Sequence, residues 1–262
     1  MKKKIIFLNK LYNKPITCLT AYSGSIAKIL DGNVDLILIG DSLGSTLYNM
    51  KNTQKVTMDM MRLHGKVVTE NVKKSITVID MPYQTYTNKT KALKNAMILM
   101  NYSKAKLLKL EINIKTIPII SYLSKRGFKI IAHIGVTPQS YSDFKKIKVV
   151  GRNNNERRKL LDLALSAEKA GAKAILLECV IESVSKQITS ALSIPTIGIG
   201  SSKSCDGQVL VFDDLVNFDS TNNTPKFVKK YMNFEKQARK AIGRFSKEVK
   251  LRKFPSKKYS YQ

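Results

Sequence analysis

Val34-Asp35-Leu36-Ile37-Leu38-Ile39-Gly40-Asp41 is a short aliphatic run closed by a glycine and a carboxylate. Four later segments repeat that form: ITVI closed by Asp80, LLKL by Glu111, KIIA by His133 and AILL by Glu178. Near-continuous aliphatic runs of this length are what strands covered on both faces look like, as in a parallel sheet. Extending the search gives eight strand candidates, at 16–22, 35–41, 76–81, 107–112, 129–134, 174–180, 195–200 and 208–213. Segments of helical period separate most of them, at 57–71, 89–105, 115–126, 156–170 and 181–191. In 156–170, Leu160, Leu163, Ala164, Ala167 and Ala170 share one face while Glu156, Arg157, Lys159 and Glu168 point away. Alternating strand and helix implies parallel pairing with right-handed crossovers. Eight such strands predict an α/β fold, a (β/α)8 TIM-type barrel occupying 1–262 as a single domain.

The interval 201–207 is too short for a helix, so the last crossover is expected to be irregular. After the barrel, Thr224 as N-cap and Pro225 at the first helical position predict a C-terminal helix over about 225–249. Phe227, Tyr231, Phe234, Ala238, Ile242, Phe245 and Val249 form its apolar stripe, a face for the barrel wall or a neighbouring subunit. A short basic tail from Leu251 is expected to be loosely ordered.

Composition narrows the function classes. No stretch approaches the roughly 18 apolar residues that span a bilayer, so no membrane role is expected. The opening Met1-Lys2-Lys3-Lys4 mimics a signal peptide, but its apolar stretch ends after four residues at Asn9, which points to a cytoplasmic protein. Cys18, Cys179 and Cys205 are odd in number and far apart, fitting neither a disulfide framework nor a zinc knuckle. A net charge of +27 would ordinarily raise nucleic-acid binding. Here the cations are mostly lysines scattered along the chain, without the clustered arginines of base readout, so no nucleic-acid partner is expected.

Barrel enzymes carry their reacting groups at the C-terminal ends of the strands, which is where Asp41, Asp80, Glu111, His133 and Glu178 fall. The segment after strand two reads as a long polar loop of lid size. Carboxylates gathered at one mouth cannot all stay ionised without a cation or a shifted pKa. Oxygen donors from three neighbouring strands, Asp41, Asp80 and Glu111, suit Mg²⁺ with water or substrate completing the shell. With only His64 and His133 and no clustered thiols, zinc is disfavoured. Lys109 lies two residues before Glu111 and faces the same way, so it can partner a carboxylate and a substrate acid group. Glu178, set across the mouth in an apolar run, suits a general base. Its bland alternative is a salt bridge to Lys173 or Lys203. His133 alone on a strand reads as a satisfied core group or, at this mouth, a substrate contact.

Eleven strings in register run through nearly the whole chain: TAY (20–22), GDSLG (40–44), VT (56–57), DMPY (80–83), KLE (109–111), AHIGVTPQ (132–139), GR (151–152), LEC (177–179), IPTIGIG (194–200), DGQVLV (206–211) and PKFVKKY (225–231). Together they resemble the ketopantoate (3-methyl-2-oxobutanoate) hydroxymethyltransferases. The resemblance implies a (β/α)8 barrel that moves a one-carbon unit from 5,10-methylenetetrahydrofolate to 2-oxoisovalerate on the route to pantothenate. It also implies a homo-oligomer, a decamer. By position, Asp41, Asp80 and Glu111 match its magnesium ligands, and Asp41, Ser42, Asp80 and Lys109 match groups at the oxo-acid. Glu178 matches its general base. The chain departs from the family pattern at Ser23, Ile112, Ser201 and Ser202.

Two rival readings remain. One is a Mg²⁺-dependent barrel of the isocitrate lyase and phosphoenolpyruvate mutase type, whose K-K-C-G-H cysteine loop has no counterpart here. The other is a basic nucleic-acid-binding protein, recognisable by salt-steep binding without a metal requirement.

Overall fold

The computed structural model describes residues 14–143, 147–218 and 224–261; the basic N-terminal opening lies outside them. Eight parallel strands pair in chain order and close: β1 (Ile16–Thr20), β2 (Leu36–Ile39), β3 (Ile76–Asp80), β4 (Leu107–Glu111), β5 (Ile130–Gly135), β6 (Ala174–Glu178), β7 (Thr196–Ile199) and β8 (Gly207–Leu210), the last returning to β1. All eight overlap the expected runs. Strand eight is shorter than the expected 208–213, because a helix begins at Phe212.

Helices α1 (Gly24–Leu30), α2 (Leu43–Tyr48), α3 (Met58–Glu70), α4 (Lys89–Ser103), α5 (Ile117–Ser124), α6 (Asn154–Lys169) and α7 (Glu182–Ala191) occupy the crossovers. Their starts follow from capping. Thr57, Asn88 and Asn153 each accept a backbone N–H three residues on, and Glu156 supplies the acidic first-turn residue of α6. Gly65 lets α3 sit close to the barrel, since a Cβ there would lie 2.6 Å from Ile79 Cδ1 and 2.8 Å from Ser103 Cβ. The segment after β2 is not a plain loop: it holds α2 and a 3-10 turn at Thr53–Lys55 before α3. The β7–β8 crossover carries no helix, as its length requires.

The barrel interior is filled by alternate strand residues. Cys18, Leu36, Leu38, Val78, Leu107, Ile131, Leu176, Ile197 and Val209 belong to one buried cluster, and each such aliphatic side chain contributes about 1.5–3 kcal/mol. Continuing the same parity toward the C-terminal ends reaches Asp80 from Val78, Lys109 and Glu111 from Leu107, His133 from Ile131 and Glu178 from Leu176. The hydrophobic rows of the core thus become the polar floor of the mouth.

The chain divides into two compact units, Met1–Val211 and Phe212–Gln262, where the sequence reading puts one domain. The second unit holds α8 (Phe212–Val216) and α9 (Phe234–Lys250). The expected helix start is corrected: α9 begins at Phe234, not Pro225. Pro225 opens a single turn closed by Val228 N–H, whereas the Asn233 side chain accepts from Lys236 N–H and caps the helix. Phe227 and Tyr231 therefore lie outside the helical stripe. The tail is also more ordered than expected, with Phe254 set edge-on against Phe245 at 5.5 Å and beside Tyr259 at 6.0 Å. Among the described residues no helix is long and apolar enough to cross a membrane.

Candidate active site

Lys109 Nζ contacts Asp80 at 2.9 Å (Oδ1) and 3.0 Å (Oδ2), a pair formed across neighbouring strands. Asp80 Oδ2 also accepts the Asp41 backbone N–H at 3.1 Å, which draws the end of β2 onto β3. Asp80 Oδ1 has no hydrogen bond beyond its contact with the ammonium. Glu111 accepts the Gln139 backbone N–H on both oxygens, at 3.0 and 3.3 Å. Asp41 accepts Gln139 Nε2 at 2.7 Å. Asp41, Asp80, Lys109, Glu111 and His133 are all buried. His133 stands between two acids, Nε2 3.2 Å from Glu178 and Nδ1 3.7 Å from Glu111, with neither nitrogen aligned for a hydrogen bond. His133 Nε2 is thus the close neighbour of Glu178, where a lysine was the bland alternative. Ser42 opens α2 without capping it, and its hydroxyl instead meets Tyr22 OH at 2.7 Å.

The electrostatics of this arrangement demand positive charge. Burial first, then the charge of Asp80, push Asp41 up to about 7. Burial and then Asp41 hold Glu111 well above the usual carboxylate range. Burial alone would lower Lys109, yet Asp80, Asp41 and Glu111 together raise it, so it stays a cation. Burial, followed by the charge of Lys109, lowers His133, leaving a neutral imidazole near neutral pH. The three cysteines are buried free thiols, and burial pushes Cys179 up to about 12, which removes thiolate chemistry from the mouth.

A hard divalent ion fits the chemistry of this donor set: oxygen-only groups, two of them carboxyls whose ionisation is suppressed. Among the described residues no group of three or more His, Cys, Asp or Glu side chains is placed to hold a metal ion. Mg²⁺ does not require one, since water and substrate oxygens commonly complete its octahedron. A surface hollow of about 720 Å³ between α3 and α4 is lined by Arg62, Leu93, Lys94, Met97 and Tyr102 among others. Its lining residues include no acid, imidazole or thiol.

Sequence reasoning named the strand-end groups but missed Gln139, Tyr86 and Gln54, which lie on connections without periodicity. The only signal was that Gln139 ends the string AHIGVTPQ. The departures have local structural roles. Ser23 caps α1, accepting Ile26 N–H, and Ser201 Oγ donates to Leu177 O at 2.8 Å at the end of β6. Ile112 is buried and its N–H donates to His133 O.

Comparison with known proteins shows the family. The family model for ketopantoate hydroxymethyltransferase matches residues 2–257. A 3-methyl-2-oxobutanoate hydroxymethyltransferase of Pelagibacter ubique is 47% identical over the whole of both chains. One from Campylobacter curvus is 41% identical over 99% of this chain and 98% of its own. Among solved structures, a putative phosphonomutase from Burkholderia cenocepacia superposes with a TM-score of 0.63 at 11% identity, covering 95% of this chain and all of that one. A 2,3-dimethylmalate lyase of the PEP mutase/isocitrate lyase superfamily gives 0.59 at 12% identity, over 97% and 89%. At such identity these two likenesses concern the barrel alone.

Proposed function

Because this chain belongs to the ketopantoate hydroxymethyltransferase family, we propose that the acidic mouth of its barrel is where that reaction takes place. The activity is transfer of a hydroxymethyl group to 3-methyl-2-oxobutanoate in pantothenate biosynthesis. The one-carbon donor is 5,10-methylenetetrahydrofolate, and the ion is Mg²⁺. Asp41, Asp80 and Glu111 would hold the ion, an assignment supported by the suppressed ionisation of Asp41 and Glu111.

When bound, Mg²⁺ supplies a Lewis acid that stabilises negative charge growing on the oxo oxygen. Lys109, kept cationic by Asp80, neutralises the substrate carboxylate, and Ser42, anchored through Tyr22, lines the same end of β2. Glu178 takes the proton from C3. The freed electron pair forms a C–C bond to the methylene carbon of the donor, whose bonds to the folate nitrogens break while water supplies the hydroxyl. His133 sits beside Glu178 as a neutral group, filling the floor of the mouth without adding charge.

The single observation that carries this reading is the burial of Asp41, Asp80 and Glu111 at neighbouring strand ends, with Lys109 on Asp80 and Gln139 bonded to the other two. Turnover of 3-methyl-2-oxobutanoate with 5,10-methylenetetrahydrofolate should depend on Mg²⁺ and cease in excess chelator. Full turnover without divalent ion would sink the metal assignment. The amphipathic α9, on which no residue is buried, supports a homo-oligomer, and a monomer by light scattering after gel filtration would refute that.

A further inference from the structure

Gln139 hydrogen-bonds two of the three carboxylates assigned to the metal, although it belongs to none of the strands that carry them. It lies in a 3-10 turn, Pro138–Ser140, after β5, and is buried. Its side-chain Nε2 donates to Asp41 Oδ2 at 2.7 Å and to Met81 O at 3.0 Å. Its backbone N–H donates to Glu111. Its Oε1 accepts Tyr86 OH at 2.6 Å, and its own carbonyl accepts Gln54 Nε2 at 2.9 Å. A carbonyl oxygen can only accept, so the amide orientation is fixed by chemistry: nitrogen toward Met81 and Asp41, oxygen toward Tyr86. Both N–H bonds of the amide are thereby used.

We propose that Gln139, locked by Tyr86, is the positioning residue of the magnesium centre, presetting Asp41 from β2 and Glu111 from β4 for the ion. This rests on the magnesium reading above. The bond to Asp41 engages Oδ2 and fixes that carboxyl from the connection after β5. The backbone N–H straddles the two oxygens of Glu111 and so fixes the plane of that carboxylate. Asp80 is oriented otherwise, by Lys109 and the Asp41 N–H, and needs nothing from Gln139. Without Gln139, two carboxyls whose charges oppose each other would be free to turn apart, and the ion would have to order them on arrival. Groups that orient metal ligands in this way typically contribute 10–100-fold in affinity.

The test is Mg²⁺ affinity by titration calorimetry on the full chain, with melting curves on the same samples. Gln139→Leu should raise the Mg²⁺ Kd about 10–100-fold. Tyr86→Phe should raise it about fivefold, the worth of one neutral hydrogen bond. The double variant should be no worse than Gln139→Leu, because Tyr86 acts through the amide that is already gone. A folded Gln139→Leu protein with the wild-type Kd, losing melting temperature alone, overturns the proposal. If Gln139→Leu does not fold, a wild-type Kd in Tyr86→Phe overturns it instead. Wild-type protein that binds no Mg²⁺ overturns the magnesium reading and this one with it.

Discussion

Lys109 Nζ lies within 3.0 Å of both carboxylate oxygens of Asp80, and the two side chains are only 7% and 2% exposed. Removing one partner of such a pair strands a buried charge, at a typical cost of about 3–5 kcal/mol. Lys109→Met should therefore lower Mg²⁺-free stability by about that amount in urea denaturation, and Asp80→Asn should do likewise. The double variant should be less destabilised than the sum, because no charge is left stranded. Strictly additive losses would mean that the pair is not coupled.

The groups just discussed were legible because two periodicities coincide in them. A run such as LLKLE declares itself as a buried strand, and parity then places Lys109 and Glu111 on the inward row that starts at Leu107. The same logic reaches Asp80, His133 and Glu178. Gln139 was not legible, because its contact with Asp41 joins positions 98 apart in the chain and depends on how two irregular connections fold over the barrel end. Helices α1 and α2 escaped notice because seven and six residues give too little period to read. The start of α9 was misread because a proline favours a first helical position but does not fix it, and Asn233 offers the stronger cap.

A pH prediction follows from Asp41 and Glu111. Burial first, then neighbouring carboxylates, raise Asp41 from 3.8 to about 7 and Glu111 well above 4.5. Within that window the folded chain holds protons that the unfolded chain has released, so stability falls as pH rises toward 7. His133, lowered mainly by burial and then by Lys109, works the other way below 6.5, one group against four, since burial also raises Asp213 and Asp214. Asp31 and Glu156 are lowered, so their favourable effect is already complete above the ordinary carboxyl range. Without Mg²⁺ the melting temperature should drop between about pH 5 and 7.5, and Asp41→Asn should flatten the slope. Mg²⁺ should reverse it, since the ion takes the place of the protons. A melting temperature that climbs over this range without Mg²⁺ would contradict the shifts.

Gly135 ends β5 at a φ of 98°, and a Cβ there would overlap the Glu178 carbonyl and lie 2.7 Å from Val180 Cγ2. Gly127 is also left-handed, at 88°, but a Cβ there meets nothing within 4 Å. Gly127→Ala should lose about 1 kcal/mol from backbone conformation alone. Gly135→Ala should lose about 2–4 kcal/mol, because the clash adds to it, and the shifted end of β6 should reduce turnover. Equal losses in urea for the two variants would show that the approach of β5 to Glu178 is not tight.

Glu178 separates proton abstraction from metal binding, which makes it the sharpest test of the chemistry. It is 19% exposed at the end of β6, lies 3.2 Å from the neutral His133 Nε2, and is not among the proposed ligands. Glu178→Gln keeps the shape but removes the base, so Mg²⁺ and 3-methyl-2-oxobutanoate should bind almost normally. Exchange of the C3 hydrogen into D₂O needs enolisation but no folate, and it should fall by about 10²–10⁴-fold, the usual contribution of a general base. If Glu178 serves only as a partner for His133, the variant should instead lose melting temperature while each folded molecule exchanges at the wild-type rate. Following exchange by NMR beside a melting curve distinguishes the two, and unchanged exchange in the folded variant would remove Glu178 from the mechanism.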